Sequence, residues 1–283
     1  MFDSYGRRID YLRVSVTDRC NLRCPYCAAG DLAAVGGAAC DRVARDETAG
    51  GTRNRAATIL TFEEIVVAVT AGAELGITKV RLTGGEPLVR RGIVDLVRMI
   101  ASVPGITTVS MTTNGTLLSP VAALLQDAGL SSINVSLDTL DEERYARETG
   151  GRLEDAVDGL LCAKRAGIAP VKVNTVVGPH TTREELDTLA RFCARHGLHH
   201  QRIAEYRLTR EKRDDHGCER PLPCEACNRL RLLCDGTIKP CLRSNEEVRF
   251  DPDHPRESLR AAVARKPERG GVCTNRAMVE IGG

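Results

Sequence analysis

Aromatic residues are scarce. Tryptophan is absent, and five tyrosines with four phenylalanines bring the aromatic share to only 3% of 283 residues. An excess of one charge is also missing. Forty Lys and Arg against 38 Asp and Glu leave a net charge of +2, so the whole surface gives no argument for binding a polyanion. No run of 18 apolar residues occurs, and the opening segment MFDSYGRRI has no apolar h-region. Neither a membrane span nor a signal peptide is expected, and the cytoplasm is the expected location. The remaining balance, 42% hydrophobic and 28% charged, is ordinary for a globular chain and excludes collagen, coiled coil and bulk disorder. The length suits one large α/β unit or two modules and can bury a core without disulfides.

What the chain does have is sulfur. Twelve cysteines in a chain expected in a reducing compartment point to metal binding or catalysis rather than to disulfide staples.

From Asp10 to about Glu205, strand-like and helix-like segments alternate. Apolar, β-branched stretches lie at Tyr11–Thr17, Lys79–Thr83, Thr107–Thr113, Ser132–Leu137, Val171–Val177 and near Gln201–Tyr206. Helical patterns lie between them, at Ile93–Ala101, Pro120–Ala128, Asp141–Glu148, Leu153–Ala166 and Arg183–His196. Thr61 with Glu64 makes a capping box ahead of Ile65, Val66, Val69 and Ala73 at helical spacing. Gly76, Gly129, Gly167 and Gly197 stand where helices should end. Repeated strand–helix alternation implies parallel strands with right-handed crossovers. Six units are too few for eight strands, so the fold class is α/β, a partial (β/α)6 TIM-like barrel over residues 1–206 with its site at the C-terminal strand ends. Residues 28–57 have no period and read as a long loop. Residues 207–283 are basic and rich in Pro, Gly and Cys, and read as a small module ordered by metal.

The first cysteine cluster follows the first strand. Cys20, Cys24 and Cys27 form a C-x3-C-x2-C spacing within Cys20-Asn21-Leu22-Arg23-Cys24-Pro25-Tyr26-Cys27. A [4Fe–4S] cube has four iron corners, and three cysteines leave one corner for a small molecule. Zinc sites use paired C-x2-C spacings in fours, which this triplet does not match. At the end of the second strand lies Thr83-Gly84-Gly85-Glu86-Pro87. Its glycines allow close approach of a ligand to backbone, and Glu86 can accept from an amine.

A second triplet, Cys224, Cys227 and Cys241, has the spacing C-x2-C-x13-C. Cys218, Cys234 or Cys273 could add a fourth thiolate, which keeps a zinc site open for this cluster.

Together the first triplet and the Gly-Gly turn resemble the radical S-adenosylmethionine superfamily. That resemblance implies a cluster on Cys20, Cys24 and Cys27 that cleaves S-adenosylmethionine to a 5′-deoxyadenosyl radical. It implies adenine contact near Tyr26, amine contact at Gly84, Gly85 and Glu86, and a position near the cofactor for Ser136. The segment Asn228–Leu242 (NRLRLLCDGTIKPCL), with Leu12–Cys27, Leu60–Glu64, Lys79–Leu88, Met111–Gly115, Asn134–Leu140 and Val171–Val176, is similar to the GTP 3′,8-cyclase family of molybdenum-cofactor biosynthesis. In that family the second [4Fe–4S] cluster, here Cys224, Cys227 and Cys241, has an open iron that meets guanine. The resemblance implies substrate contacts at Arg13, Arg81, Thr112, Lys172, Arg229 and Arg231. It also implies a catalytic part for Arg13 and for the terminal Gly282 and Gly283. The expected reaction is cyclisation of GTP to 3′,8-cyclo-7,8-dihydroguanosine 5′-triphosphate, a lyase activity. Its expected needs are two [4Fe–4S] clusters, S-adenosylmethionine and an external reductant such as flavodoxin or ferredoxin. A homodimer stays open. Arginine forks suit triphosphate oxygens, and cations on barrel strands are costly unless paired or liganded.

The segment from Tyr206 to Cys224 is shorter than the family pattern, Arg207 stands at a usual methionine, and the 28–57 loop is long. An alternative is therefore a paralogous radical enzyme modifying another nucleoside or a peptide. A third reading, a zinc module contacting nucleic acid, fits less well because the basic run Arg207–Arg213 is mixed with acids and reads as a solvated linker. No nucleic-acid or membrane partner is expected. Cys162 and Cys193 read as buried small hydrophobes. His196, His199 and His200 read as an ordinary helix C-terminal turn.

Overall fold

A computed structural model describes residues 1–28, 59–210, 218–219 and 223–282. Nearly all of the 28–57 stretch, with Cys40, part of the basic run at 207–213, and Gly283 lie outside the described residues.

The barrel elements follow in order: β1 (Tyr11–Ser15), α1 (Pro25–Ala28), α2 (Phe62–Glu74), β2 (Lys79–Thr83), α3 (Ile93–Ala101), β3 (Thr108–Thr113), α4 (Ala122–Asp127), β4 (Ser132–Ser136), α5 (Glu142–Thr149), α6 (Leu153–Arg165), β5 (Val171–Val177), α7 (Arg183–His196) and β6 (His199–Ala204). The capping box forms: Glu64 N–H donates to Thr61 Oγ1 at 3.1 Å and Thr61 N–H to Glu64 Oε2 at 2.7 Å. Gly197 takes the left-handed conformation at φ 59°, and Leu198 N–H donates back to Cys193 O. That cap closes α7 and sends the chain straight into a strand. His199 and His200 therefore belong to β6 and not to a helix turn. The ring Nε2 of His200 lies 3.0 Å from Thr175 Oγ1 on the neighbouring β5.

Strands β1 to β6 pair in parallel in chain order, as six right-handed units require. The C-terminal segment adds β7 (Arg229–Leu232), β8 (Thr237–Lys239), β9 (Val248–Arg249), α8 (Pro255–Ala264) and α9 (Met278–Ile281). Strand β7 pairs in parallel with β1, and β8 and β9 continue antiparallel. The sheet runs β6-β5-β4-β3-β2-β1-β7-β8-β9 and is open at both ends. The architecture is a partial (β/α)6 barrel whose sheet is extended at the β1 edge.

Alternation along each strand sorts side chains between two faces. Leu12, Val14, Val80, Leu82, Val109, Met111, Ile133, Val135, Leu230 and Leu232 are buried in the main core under the helices. The opposite face carries the polar residues of the site. A second, smaller core joins Leu208, Leu233, Cys273, Met278 and Ile281, with Cys27 and Leu242 packed against it. It ties the first cysteine loop to the C-terminal segment.

Candidate functional site

The loop 20–27 is fixed from four directions. Gly85 N–H donates to Thr17 O and Glu86 N–H to Arg19 O, both at 2.8 Å. A Cβ on Gly84 would stand 2.6 Å from Thr17 O, and one on Gly85 would stand 2.2 Å from Arg19 O. The Gly-Gly turn is thus required by the backbone that leads into Cys20. From β3, Asn114 Nδ2 donates to Asn21 Oδ1 at 2.9 Å and reaches Cys20 Sγ at 3.9 Å. From α5, Thr149 O accepts from Arg23 N–H at 2.9 Å. From β4, Tyr26 OH donates to Asp138 Oδ2 at 2.9 Å, while Val176 N–H donates to Asp138 Oδ1 at 2.7 Å.

The electrostatics of this loop oppose thiolates in the absence of a cation. Burial, then Cys27 and Asp138, pushes the Cys24 thiol up to about 12. Burial, then Cys20 and Asp138, does the same for Cys27. Glu86 is 1% exposed. Its Oε1 accepts from Leu88 N–H and Thr113 Oγ1, and its Oε2 from Asn114 N–H. Burial still raises it to about 7. Two of these bonds brace Glu86 to the end of β3, and the three together leave about one lone-pair site for an amine. Ser136, Tyr26 and Asp138 line one pocket with Cys24, Asn114 and Tyr145. Burial lifts the Asp138 carboxyl to about 6.

The predicted substrate residues share the polar face of the sheet. Register sets Arg13 beside Arg81 on β2 and beside Arg231 on β7. Thr112, Asn134 and Lys172 line up across β3, β4 and β5. Arg81 Nη1 donates to Thr112 Oγ1 at 3.2 Å, and its Nε donates to Tyr11 OH. The Arg229 guanidinium lies 5.5 Å from the centre of the Tyr11 ring. Burial, with Arg231, Arg81 and Arg229 close by, drives the Arg13 guanidinium down to about 9 despite Tyr11. Such a crowd of like charges on a sheltered face is costly without an anion. At the same mouth, Gly282 packs so closely that a Cβ would stand 2.3 Å from Thr83 Oγ1.

The second triplet lies in the opposite charge environment. Burial would raise the Cys227 thiol, yet Lys266, Arg231 and Arg229 bring it below its usual value. Arg243 N–H approaches Cys241 Sγ at 3.4 Å. Cys224, Cys241 and Cys273 all favour the charged form of Arg243, against the burial that lowers it. Cys273 is fully buried and its Sγ contacts Asn275 Oδ1 at 3.2 Å.

Among the described residues no three His, Cys, Asp or Glu side chains converge on a single-ion site. The sulfurs of the first loop nonetheless share one small region, since Cys24 feels Cys27 and Cys20 directly. Cysteine is the usual ligand of iron–sulfur clusters, so the donor set of this loop fits such a group.

Cys193 is buried as expected. Cys162 is only partly buried, because Ser119 Oγ at 3.1 Å and Arg165 Nη2 at 2.9 Å hold its sulfur at a helix surface. Sequence reasoning did not single out Tyr11, Asp138, Asn114, Arg7, Arg243 or Lys266. Asp138 carried a readable signal, a carboxylate two residues past a strand end.

A parallel half-barrel with a cysteine triplet at the strand mouths defines a class of radical enzyme, and comparison agrees. The family model described as Radical SAM superfamily matches residues 14–193. GTP 3′,8-cyclase of Alkaliphilus oremlandii is 35% identical over 338 residues, covering 100% of both chains. That of Peptoclostridium acidaminophilum is 37% identical over 294 residues, covering 88% of this chain and 85% of its own. The chain belongs to the GTP 3′,8-cyclase family within the radical SAM superfamily. Membership implies a [4Fe–4S] cluster and S-adenosylmethionine. Solved structures share the fold at low identity. Streptococcus suis SuiB bound to precursor peptide SuiA matches with a TM-score of 0.62 and 15% identity, over 84% of this chain and 60% of its own. Native anSMEcpe with bound AdoMet matches with a TM-score of 0.61 and 14% identity, over 88% and 79%. Among the described residues no helix is long and apolar enough to cross a membrane.

Proposed function

We propose that the chain converts GTP to 3′,8-cyclo-7,8-dihydroguanosine 5′-triphosphate, joining ribose C3′ to guanine C8, the first step of molybdenum-cofactor biosynthesis. The observation that carries this reading is the row of Arg13, Arg81 and Arg231 on one sheltered sheet face, with one cysteine triplet beyond the strand ends and the other beside β7. When bound, the first cluster and S-adenosylmethionine supply one-electron chemistry able to remove a ribose hydrogen.

In this reading Cys20, Cys24 and Cys27 hold that cluster, while Tyr26, Gly84, Gly85, Glu86 and Ser136 seat the cofactor. Arg13, Arg81, Arg231 and Lys172 grip the triphosphate, since a half-buried cation row is stabilised by a multivalent anion. Thr112 orients Arg81, and Arg229 stands over Tyr11. Cys224, Cys227 and Cys241 hold a second [4Fe–4S] cluster that meets the base. Gly282 stands at the mouth, and Gly282, Gly283 and Arg13 take part in the reaction. The work divides between residues 1–206 and 207–283. An external flavodoxin or ferredoxin supplies electrons in the cytoplasm, and a homodimer is compatible.

The test is anaerobic incubation of reconstituted protein with S-adenosylmethionine, dithionite and each nucleotide in turn. GTP alone should accelerate 5′-deoxyadenosine formation and yield the cyclised nucleotide. Equal acceleration by ATP, or by a peptide, would refute the assignment.

A further inference from the structure

Residues 266–268 follow α8 and carry no cysteine, yet all three cysteines of the second triplet are tied to them. The Lys266 ammonium is only 3% exposed. It donates to Arg229 O at 2.8 Å and to Pro240 O at 2.7 Å. Arg229 lies two residues past Cys227, and Pro240 immediately precedes Cys241. One buried cation thus bridges the segments beside two of the cysteines.

Arg7, from the other end of the chain, gathers the third. Its Nη1 donates to Cys224 O at 2.9 Å and to Glu268 O at 2.8 Å, and its Nη2 donates to Pro267 O at 2.6 Å. Asp3 fixes the fork by accepting from Arg7 Nε at 2.7 Å.

A buried ammonium is costly unless anions offset it, and two carbonyls offset it only in part. Through these carbonyls the Lys266 ammonium is seated against the segments that carry Cys227 and Cys241. We propose that Lys266 and Arg7 are positioning residues that preassemble the second cysteine triplet, and that the charge of Lys266 raises the reduction potential of the centre held there. The inference rests on reading Cys224, Cys227 and Cys241 as a cluster site. A reduced cluster carries one more negative charge than an oxidised one, so a nearby cation favours reduction.

The test uses the full chain with Cys20, Cys24 and Cys27 changed to Ala, so that only the second triplet can hold a cluster. Lys266→Arg and Lys266→Met are compared with this parent by iron analysis, electron paramagnetic resonance and redox titration. The parent and Lys266→Arg should each bind about four irons and titrate at similar potentials. Lys266→Met should either lose iron or keep it at a distinctly more negative potential. Arg7→Met should take up iron more slowly and keep the parent potential, because Arg7 touches carbonyls rather than sulfurs. Lys266→Met with the parent's iron content, spectrum and potential would overturn the proposal. In a chain with Cys224, Cys227 and Cys241 changed to Ala, Lys266→Met should keep the first cluster. Loss of that cluster would mark a general folding role and also overturn it. A parent that binds no iron at all would refute the second centre itself, an outcome distinct from failure of the clamp.

Discussion

The two cysteine triplets offer the same number of thiols in opposite electrostatic settings. The first is half-buried near Asp138 and Glu86, and its Cys24 and Cys27 thiols are held up at about 12. The second sits among Lys266, Arg229, Arg231 and Arg243, and its Cys227 thiol lies below the ordinary value. Acidic surroundings favour a cationic guest, as the sulfonium of S-adenosylmethionine is. Basic surroundings favour an anionic one, as a nucleoside triphosphate is. Equal ligand counts therefore do not imply equal roles. The charges supplied by neighbouring strands separate them.

The largest effect should come from splitting the two triplets. Cys20, Cys24 and Cys27→Ala should reduce 5′-deoxyadenosine formation to the uncatalysed background. Cys224, Cys227 and Cys241→Ala should leave slow, uncoupled 5′-deoxyadenosine formation and no cyclised nucleotide. Chromatography of both products checks this, and identical profiles for the two variants would dissolve the distinction.

Next comes the cation row between them. Arg13→Met should weaken GTP binding roughly 10- to 100-fold, the loss expected for one charge-assisted contact. Isothermal titration calorimetry gives the number. A variant that binds GTP as tightly as the parent would contradict the reading of this face as a polyanion site.

A smaller effect is expected at the turn that supports the first triplet. Gly85→Ala should cost about 1–3 kcal/mol or more, since its Cβ would collide with the Arg19 carbonyl and backbone cannot yield as a side chain can. Iron binding by the first triplet should weaken in parallel, while the second triplet keeps its iron.

The smallest effect is a pH dependence. Burial raises Glu86 from 4.5 to about 7, so the fold prefers its protonated form. Its contribution is complete below about 4.5 and is lost as pH rises through 7, at most roughly 3 kcal/mol. Urea midpoints of the metal-free chain between pH 4.5 and 7.5 should fall on this account, and Glu86→Gln should flatten the slope. An unchanged slope would show that Glu86 is ionised throughout.

Much of this was legible in one dimension. The six strands and their intervening helices follow from β-branched runs, a capping box at Thr61 and glycines such as Gly197, all local signals. The first triplet was legible because its eight-residue spacing fits one loop. His199 and His200 were misread because β6 begins directly after the stop at Gly197, and its start is set by pairing of His199 with Lys172 on β5, a contact distant in sequence. Glu86 was read as a contact for an amine, and its bonds to Thr113 and Asn114 depend on β3 lying beside β2.

The sequence by itself determined the alternation of elements, the glycine stops and the two cysteine spacings, because each depends on residues within a turn or a loop of one another. Tertiary structure alone decided that β7 docks on β1, that Arg13 faces both Arg81 and Arg231, and that Lys266 and Arg7 gather the second triplet. Those relations link residues up to 261 positions apart. They are set by strand register and by the need of buried charges for partners, and local composition encodes neither.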